Sequence, residues 1–281
     1  MSTARKMAKS LYSLHRRMIG AEVTGVKLAE QVSDEVIEQI KKDIHVHKLL
    51  LFRNQGVISG ERHVEISRWF GELESTFYKH PKSPHPDVFR VSNDERQGCR
   101  NVGRTGWHID GSFMQQPFKF SLYYIASAPM SGGTAFVSLN DVIESLSKEK
   151  RESWEKLWMV SDRRSKLIHP LIYPHPVTKA PTLCFHLGMT EGFCWNYERD
   201  NEKWTSWEET QNILEEIHEE IIKDNRHLIY VHEWQNGDFI VSDNLAVGHE
   251  ATPETQFSAS EVGLRILHRT TIKGENTPSK A

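Results

Sequence analysis

The chain has 281 residues, with 35 Lys and Arg against 38 Asp and Glu, so its net charge is −3. That length is enough for one large domain or two small ones with a sizeable core, and the near-balanced charge excludes the electrostatic footprint of a dedicated nucleic-acid binder. Eight Trp, 12 Phe and 7 Tyr exclude wholesale disorder, and apolar runs such as Leu49–Phe52 fall far short of the roughly 20 residues a membrane helix needs.

The first 17 residues form a basic tail with no acid and no apolar run. They do not read as a secretory signal; a transit peptide is a weaker reading than a frayed tail. Ser33 and Asp34 can start a helix that runs to about Lys48, with Val36, Ile37, Ile40 and Ile44 near one stripe. Leu49–Phe52 reads as a buried strand, and Ser59-Gly60 opens a second helix that Gly71 stops. The stretch from about 75 to 106 is rich in Pro, His, Gly and Arg and reads as a lid. Strand signals follow at Phe118–Ala126, Thr134–Val137, Leu183–Phe185, Leu228–His232, Asp238–Val241 and Gly263–Thr271. Helices are expected at Leu139–Leu146, Lys148–Met159 and Trp207–Lys223, the last with Ile213, Ile217 and Ile221 inward and acids outward. Many short strands with scattered helices predict a mainly β jelly roll or barrel with flanking helices, in one domain over residues 18–274 and a C-terminal tail over 275–281. The three cysteines, Cys99, Cys184 and Cys194, have no zinc-finger spacing and form no disulfide framework. They point to a reducing compartment, here the cytoplasm.

The sharpest chemical signal is Trp107-His108-Ile109-Asp110. On an extended strand, residues two apart project from the same face, so an imidazole and a carboxylate point together. They make two-thirds of a 2-His-1-carboxylate facial triad, the ligand set of non-haem Fe(II) oxygenases. Such a triad leaves three coordination sites open, two for a chelating 2-oxo acid and one for O2. His-x-Asp alone is a weak motif; His249, in His249-Glu250-Ala251, is the late partner that strengthens it. His249 lies 139 residues beyond Asp110, and only a fold that returns to its own start unites them. Arg265 and Arg269 follow at an even offset on a predicted strand. One can clamp the far carboxylate of a dicarboxylate cosubstrate, the other an anionic substrate.

These blocks together resemble the taurine dioxygenase family of Fe(II)/2-oxoglutarate-dependent oxygenases over about residues 18–272. The resemblance rests on Ile19–Val23 with Gly25, Leu51–Gln55, Phe70–Leu73, Trp107–Asp110 with Ser112-Phe113, and Gly132-Gly133-Thr134. It continues through His169-Pro170 and His175-Pro176, Trp234 with Gly237-Asp238, Asp243-Asn244, His249 with Ala251, and Arg265 with Arg269. It implies a double-stranded β-helix (a cupin-like jelly roll), with His108, Asp110 and His249 as iron ligands. By the same resemblance, Thr134 and Arg265 hold the far carboxylate of 2-oxoglutarate, and Arg269 meets the substrate. Asn101 and Arg104 are candidates to reach the substrate from the lid. The implied cosubstrates are 2-oxoglutarate and O2, with ascorbate as a stimulant, and homo-oligomers are common in the family.

The expected activity is O2-dependent oxidation of an unactivated C–H bond in a small anion (a carboxylate, sulfonate or amino-acid derivative) with release of succinate and CO2. The segment Cys99–Gly106 and the region after Leu73 depart from the taurine enzyme, which argues against taurine itself. Asp110 stands where related halogenases carry a small residue, which favours hydroxylation, desaturation or cyclisation over halogenation. Three alternatives stay open: oxidative cyclisation of an N-prenylated glutamate, as in kainoid synthases; betaine- or carnitine-pathway hydroxylation, which wants an aromatic cage for a quaternary ammonium; and a non-catalytic jelly-roll binding protein. Neither nucleic acid nor membrane is expected as a partner.

Overall fold

The computed structural model describes residues 11–74, 79–103, 105–163, 166–223 and 228–280. A hairpin of β1 (Ser13–Arg16) and β2 (Ala21–Thr24) leads into α1 (Asp34–His47). Ser33 takes the N-cap position with extended dihedrals but makes no side-chain cap bond. Lys48, at a φ of 67°, ends the helix and turns the chain into β3 (Leu49–Phe52). In α2 (Gly60–Arg68) the Ser59 hydroxyl does accept the cap bond, from the Arg62 N–H.

The strand β4 (Phe89–Ser92) lies inside the stretch expected to be a lid. It is short and flanked by turn residues, which hides it from sequence patterning; its antiparallel partner defines it. Next come β5 (Phe120–Ser127), β6 (Thr134–Ser138), α3 (Leu139–Ser145) and α4 (Lys148–Trp154). The helix expected over Lys148–Met159 stops early, and Leu157–Ser161 is β7. Its aromatic and β-branched residues pair antiparallel with a later strand rather than continuing the helix. A run of short strands follows: β8 (Ile168–Pro170), β9 (Ile172–Pro174), β10 (Pro181–Leu183), β11 (Thr190–Trp195) and β12 (Lys203–Trp204). The chain ends with α5 (Trp207–Ile222), β13 (Ile229–His232), β14 (Phe239–Asp243), β15 (Val247–Ala251), α6 (Ala259–Val262) and β16 (Ile266–Ile272).

Seven strands form one sheet in the order β1-β2-β3-β14-β5-β16-β4, and three form a second in the order β13-β6-β15. From β5 onward the chain passes repeatedly between these two sheets, which is the jelly roll the sequence predicts. Period-two alternation sorts the side chains into layers. Leu49, Leu51, Tyr123, Ile125, Ile240 and Leu267 of the large sheet pack with Phe136 and Val247 of the small one. The opposite residues of the same strands, Leu50, Phe52, Leu122, Tyr124, Phe239 and Val241, pack with Ile40 and Ile44 of α1 and Ile66 of α2. A third cluster joins Ala135 and Val137 of β6 to Val142, Trp154, Met159, Ile217 and Ile221. Each fully buried aliphatic side chain contributes about 1.5–3 kcal/mol, so both sheets are held on both faces. No helix among the described residues is long and apolar enough to cross a membrane.

Candidate metal centre

His108 and His249 are brought together by a local antiparallel bridge. The His108 N–H donates to the His249 carbonyl at 3.2 Å, and the His249 N–H to the His108 carbonyl at 2.9 Å. Directly bridged residues project from one face, so the two rings meet with centroids 4.3 Å apart. Asn244, just after β14, fixes the neighbouring residue. Its Oδ1 accepts the Asp110 N–H at 2.8 Å, and its Nδ2 donates to the carbonyls of Asp110 (2.9 Å) and Phe118 (2.7 Å). The fold thereby delivers two imidazoles and a carboxylate, all buried, from segments 139 residues apart in the sequence.

The candidate ligand atoms of His108, Asp110 and His249 lie within 4.8 Å of one another. His108 Nε2 is 4.0 Å from Asp110 Oδ1, and His249 Nε2 is 3.8 Å from Asp110 Oδ2. Two atoms bonded at ~2.1 Å to one ion can be at most ~4.2 Å apart, so each imidazole lies within that reach of one carboxylate oxygen. Hydrogen bonding sets the right tautomer: His108 Nδ1 donates to the Gly106 carbonyl at 2.8 Å, which leaves the Nε2 lone pair free. Burial lowers the pKa of both histidines, that of His249 to about 3, so neutral rings are offered to a metal. Burial opposes ionisation of Asp110, but the Arg269 guanidinium, helped by the Ser121 hydroxyl, outweighs it and holds the carboxyl below the usual range. Arg269 Nη1 donates to Oδ1 at 2.6 Å and Ser121 to Oδ2 at 2.7 Å.

A second cluster, His45, His175 and Asp243, also brings three candidate ligand atoms together. Its atoms are already committed. The N–H groups of Val177 and Thr178 donate to His175 Nδ1, so its Nε2 carries the proton and donates to Asp243 Oδ1 at 3.2 Å. His45 Nδ1 donates to Asp243 Oδ2 at 3.1 Å, and the Leu245 N–H donates to Oδ1. A metal here would have to displace the bonds to both imidazoles, whereas in the first cluster Asp110 also accepts bonds but His108 Nε2 presents a lone pair with no hydrogen-bond partner among the described residues.

The other residues singled out from the sequence fall at differing places. Thr134 is buried on β6, opposite Ala251 of β15, and its hydroxyl oxygen accepts the Trp234 indole N–H at 3.1 Å. The side-chain hydrogen of Thr134 is therefore free to donate. Arg265 is 4% exposed, yet its guanidinium makes no ion pair with any described residue and its Nε has no partner; burial lowers its pKa to about 10. Arg269 lies on the inner face of β16 with Leu267, stacked 5.1 Å from the Phe89 ring, and its Nε is likewise unpartnered. Asn101 is exposed at a φ of 58°, in the loop whose Gly103 carbonyl accepts the Ala251 N–H. Arg104 lies outside the described residues. His268, on the opposite parity, points to the outer face, where its Nε2 accepts from Arg90. Trp107 is core.

Three contributors were not found from the sequence. Ser121 and Tyr123 share the inner face of β5; the Tyr123 hydroxyl is 3.4 Å from Asp110 Oδ2 and 3.3 Å from His249 Nε2. The alternation of Phe118–Ala126 was the signal for both. His186 is bridged to His108 from the side away from His249; no sequence motif marks it.

The family described as "Taurine catabolism dioxygenase TauD, TfdA family" matches residues 9–271. The chain is 25% identical to an alpha-ketoglutarate-dependent sulfate ester dioxygenase of Pseudomonas putida, over 92% of this chain and 87% of that one. It is 24% identical to an alpha-ketoglutarate-dependent 2,4-dichlorophenoxyacetate dioxygenase of Cupriavidus pinatubonensis, over 83% and 88% of the two chains. Among solved structures, a putative alpha-ketoglutarate-dependent taurine dioxygenase from Burkholderia xenovorans superposes with a TM-score of 0.75 at 25% identity, covering 94% of this chain and 93% of that one.

Proposed function

We propose, from the premise that this chain belongs to the TauD, TfdA family of 2-oxoglutarate-dependent dioxygenases, that it oxidises a C–H bond of a small oxyanionic substrate at an Fe(II) held by His108, Asp110 and His249. The observation that carries the reading is the buried triad, with its free His108 Nε2 lone pair, in a fold that also buries an arginine with no ion-pair partner among the described residues. When bound, the iron and 2-oxoglutarate supply O2 activation and the oxidising equivalents, with succinate and CO2 as coproducts.

The protein's own groups perform the remaining tasks. Ser121 and Arg269 keep Asp110 ionised and orient it. Burial keeps the two imidazoles neutral and excludes water from them. Arg265 receives the far carboxylate of 2-oxoglutarate as a charge-assisted pair, and the Thr134 hydroxyl donates to the same group. Arg269, tied through one nitrogen to Asp110, turns its unpartnered Nε to the substrate anion. Two relatives are named for oxyanionic substrates, a sulfate ester and 2,4-dichlorophenoxyacetate, which supports the same substrate class here.

The test is a succinate-release screen with Fe(II), 2-oxoglutarate and ascorbate over alkyl sulfates, alkyl sulfonates, aryloxyacetates and N-substituted amino acids. Stimulation by at least one anion, absent in Asp110→Ala, is expected. Release that no anion stimulates, with stimulation confined to neutral compounds, contradicts the substrate class.

A further inference from the structure

Three imidazoles stand in a row across three adjacent backbone segments. His108 is bridged to His249 on one side and to His186 on the other. The His186 ring stacks on that of His108, with centroids 4.5 Å apart and planes 20° from parallel. The bridge is flanked by bonds from the Ile109 N–H to the Phe185 carbonyl (3.2 Å) and from the Leu187 N–H to the Trp107 carbonyl (3.0 Å). In this antiparallel register Gly188 lies opposite Gly106.

That register decides where the rings point. His108 Nδ1 is tied to the Gly106 carbonyl, and His186 Nδ1 to the Gly188 N–H at 3.2 Å. Both Nδ1 atoms therefore face one end of the ladder, and both Nε2 atoms face the other. The bond from Gly188 also sets the tautomer. Because His186 Nδ1 accepts, its Nε2 carries the hydrogen. His186 is only 3% exposed, and this Nε2–H has no hydrogen-bond partner among the described residues. A ring in this tautomer cannot ligate a metal through Nε2; it can only donate.

We propose that His186 is a ligand-binding residue whose Nε2–H donates to an oxyanion seated beside His108, either a carboxylate oxygen of the 2-oxo acid or the anionic group of the substrate. This rests on the reading of His108 as a metal ligand. The row then divides its work: His249 and His108 hold the ion, and His186 reads what binds next to it. A substrate or cosubstrate without an acceptor oxygen at that place would forgo this hydrogen bond, which makes the position selective.

The test compares His186→Phe, which keeps the stacked ring and removes the donor, with His186→Gln, whose amide nitrogen reaches about as far as Nε2. Two anaerobic titrations read binding without turnover. One adds 2-oxoglutarate to the Fe(II) protein and follows the weak visible charge-transfer band. The other adds taurine, 2,4-dichlorophenoxyacetate or hexyl sulfate to that complex and follows the change in the band. His186→Phe is expected to weaken one titration about tenfold at unchanged iron stoichiometry, the size of one neutral hydrogen bond, and His186→Gln to restore most of it. A shift in the first titration assigns the acceptor to the 2-oxo acid; a shift confined to the second assigns it to the substrate. The proposal is overturned if His186→Phe matches the parent protein in both, or if Phe and Gln variants lose iron equally, which marks a structural role. A parent protein without a band removes the metal reading and this one with it, whereas a normal band left untouched by His186→Phe removes this one alone. Imidazole 15N spectra of the metal-free protein give an independent check: Nε2 protonation at His186 is expected, and Nδ1 protonation overturns the assignment.

Discussion

The Asp110 carboxylate is held by a cation on one oxygen and hydroxyls on the other: Arg269 on Oδ1, Ser121 and, at longer range, Tyr123 on Oδ2. In the metal-free protein Arg269 is the only cationic side chain bonded to it among the described residues. Removing one partner of a buried ion pair costs about 3–5 kcal/mol. Arg269→Leu should therefore lower the urea midpoint of the metal-free protein markedly and of the Mn(II)-loaded protein much less, because the ion supplies the missing charge. Equal losses in both would contradict the arrangement. Arg265 gives the opposite case, a buried guanidinium that pairs with no acid among the described residues and whose Nε has no partner. Arg265→Met should leave the unliganded protein as stable or more stable, while 2-oxoglutarate binding weakens by roughly a hundredfold or more. Calorimetric titration of the Mn(II) protein with 2-oxoglutarate checks this; unchanged affinity removes Arg265 from the cosubstrate site. Both arginines could be read from the sequence as an even-spaced pair, but their different partners could not, since an ion pair with Asp110 depends on how two distant strands are docked.

At the scale of elements, the site depends on short extended pieces pinned by side chains. Asn244 spans the Asp110 and Phe118 backbones with three bonds. Asn244→Ala leaves those buried groups unpaired and should weaken metal binding about 10–100-fold, the usual effect of losing a group that orients a ligand. Competition with a chromophoric chelator measures it, and parent-like affinity would show that the clamp is dispensable. Strands with plain alternation or continuous apolar runs, such as Leu49–Phe52, were legible because burial on both faces leaves a periodic record. Phe89–Ser92 and Leu157–Ser161 were not. The first is short and surrounded by turn residues, and the second follows a helix without a breaker, so only their long-range partners define them. His186 escaped notice for the same reason: its register with His108 is a tertiary fact.

Over the whole molecule, the large sheet buries polar groups on the face away from the candidate metal centre. His63 and His268 lie there, with pKa values lowered by burial from 6.5 to about 3 and about 4. Between pH 6.5 and about 4 the unfolded chain binds protons that the folded chain refuses. Each ring therefore contributes stability above pH 6.5 that is lost as pH falls, at up to ~1.4 kcal/mol per unit. His268→Gln, whose amide oxygen can still accept from Arg90, should flatten the dependence of unfolding free energy on pH between 6 and 4.5; an unchanged slope would show that His268 is already protonated when folded. The global fold was legible because ordered motifs run through nearly the whole chain. The pairing of His108 and Asp110 with a residue 139 positions later than Asp110 followed from that order, whereas the competing cluster of His45, His175 and Asp243 appears only when the outer helix is docked on the sheet.

The decisive measurement is an anaerobic titration of the metal-free protein with Fe(II) in the presence of 2-oxoglutarate, followed by visible absorbance. A charge-transfer band that saturates at one iron per chain, vanishes in Asp110→Ala and His249→Ala and persists in His45→Asn is predicted. A band that survives Asp110→Ala, or that disappears in His45→Asn, would place the iron elsewhere and contradict the account.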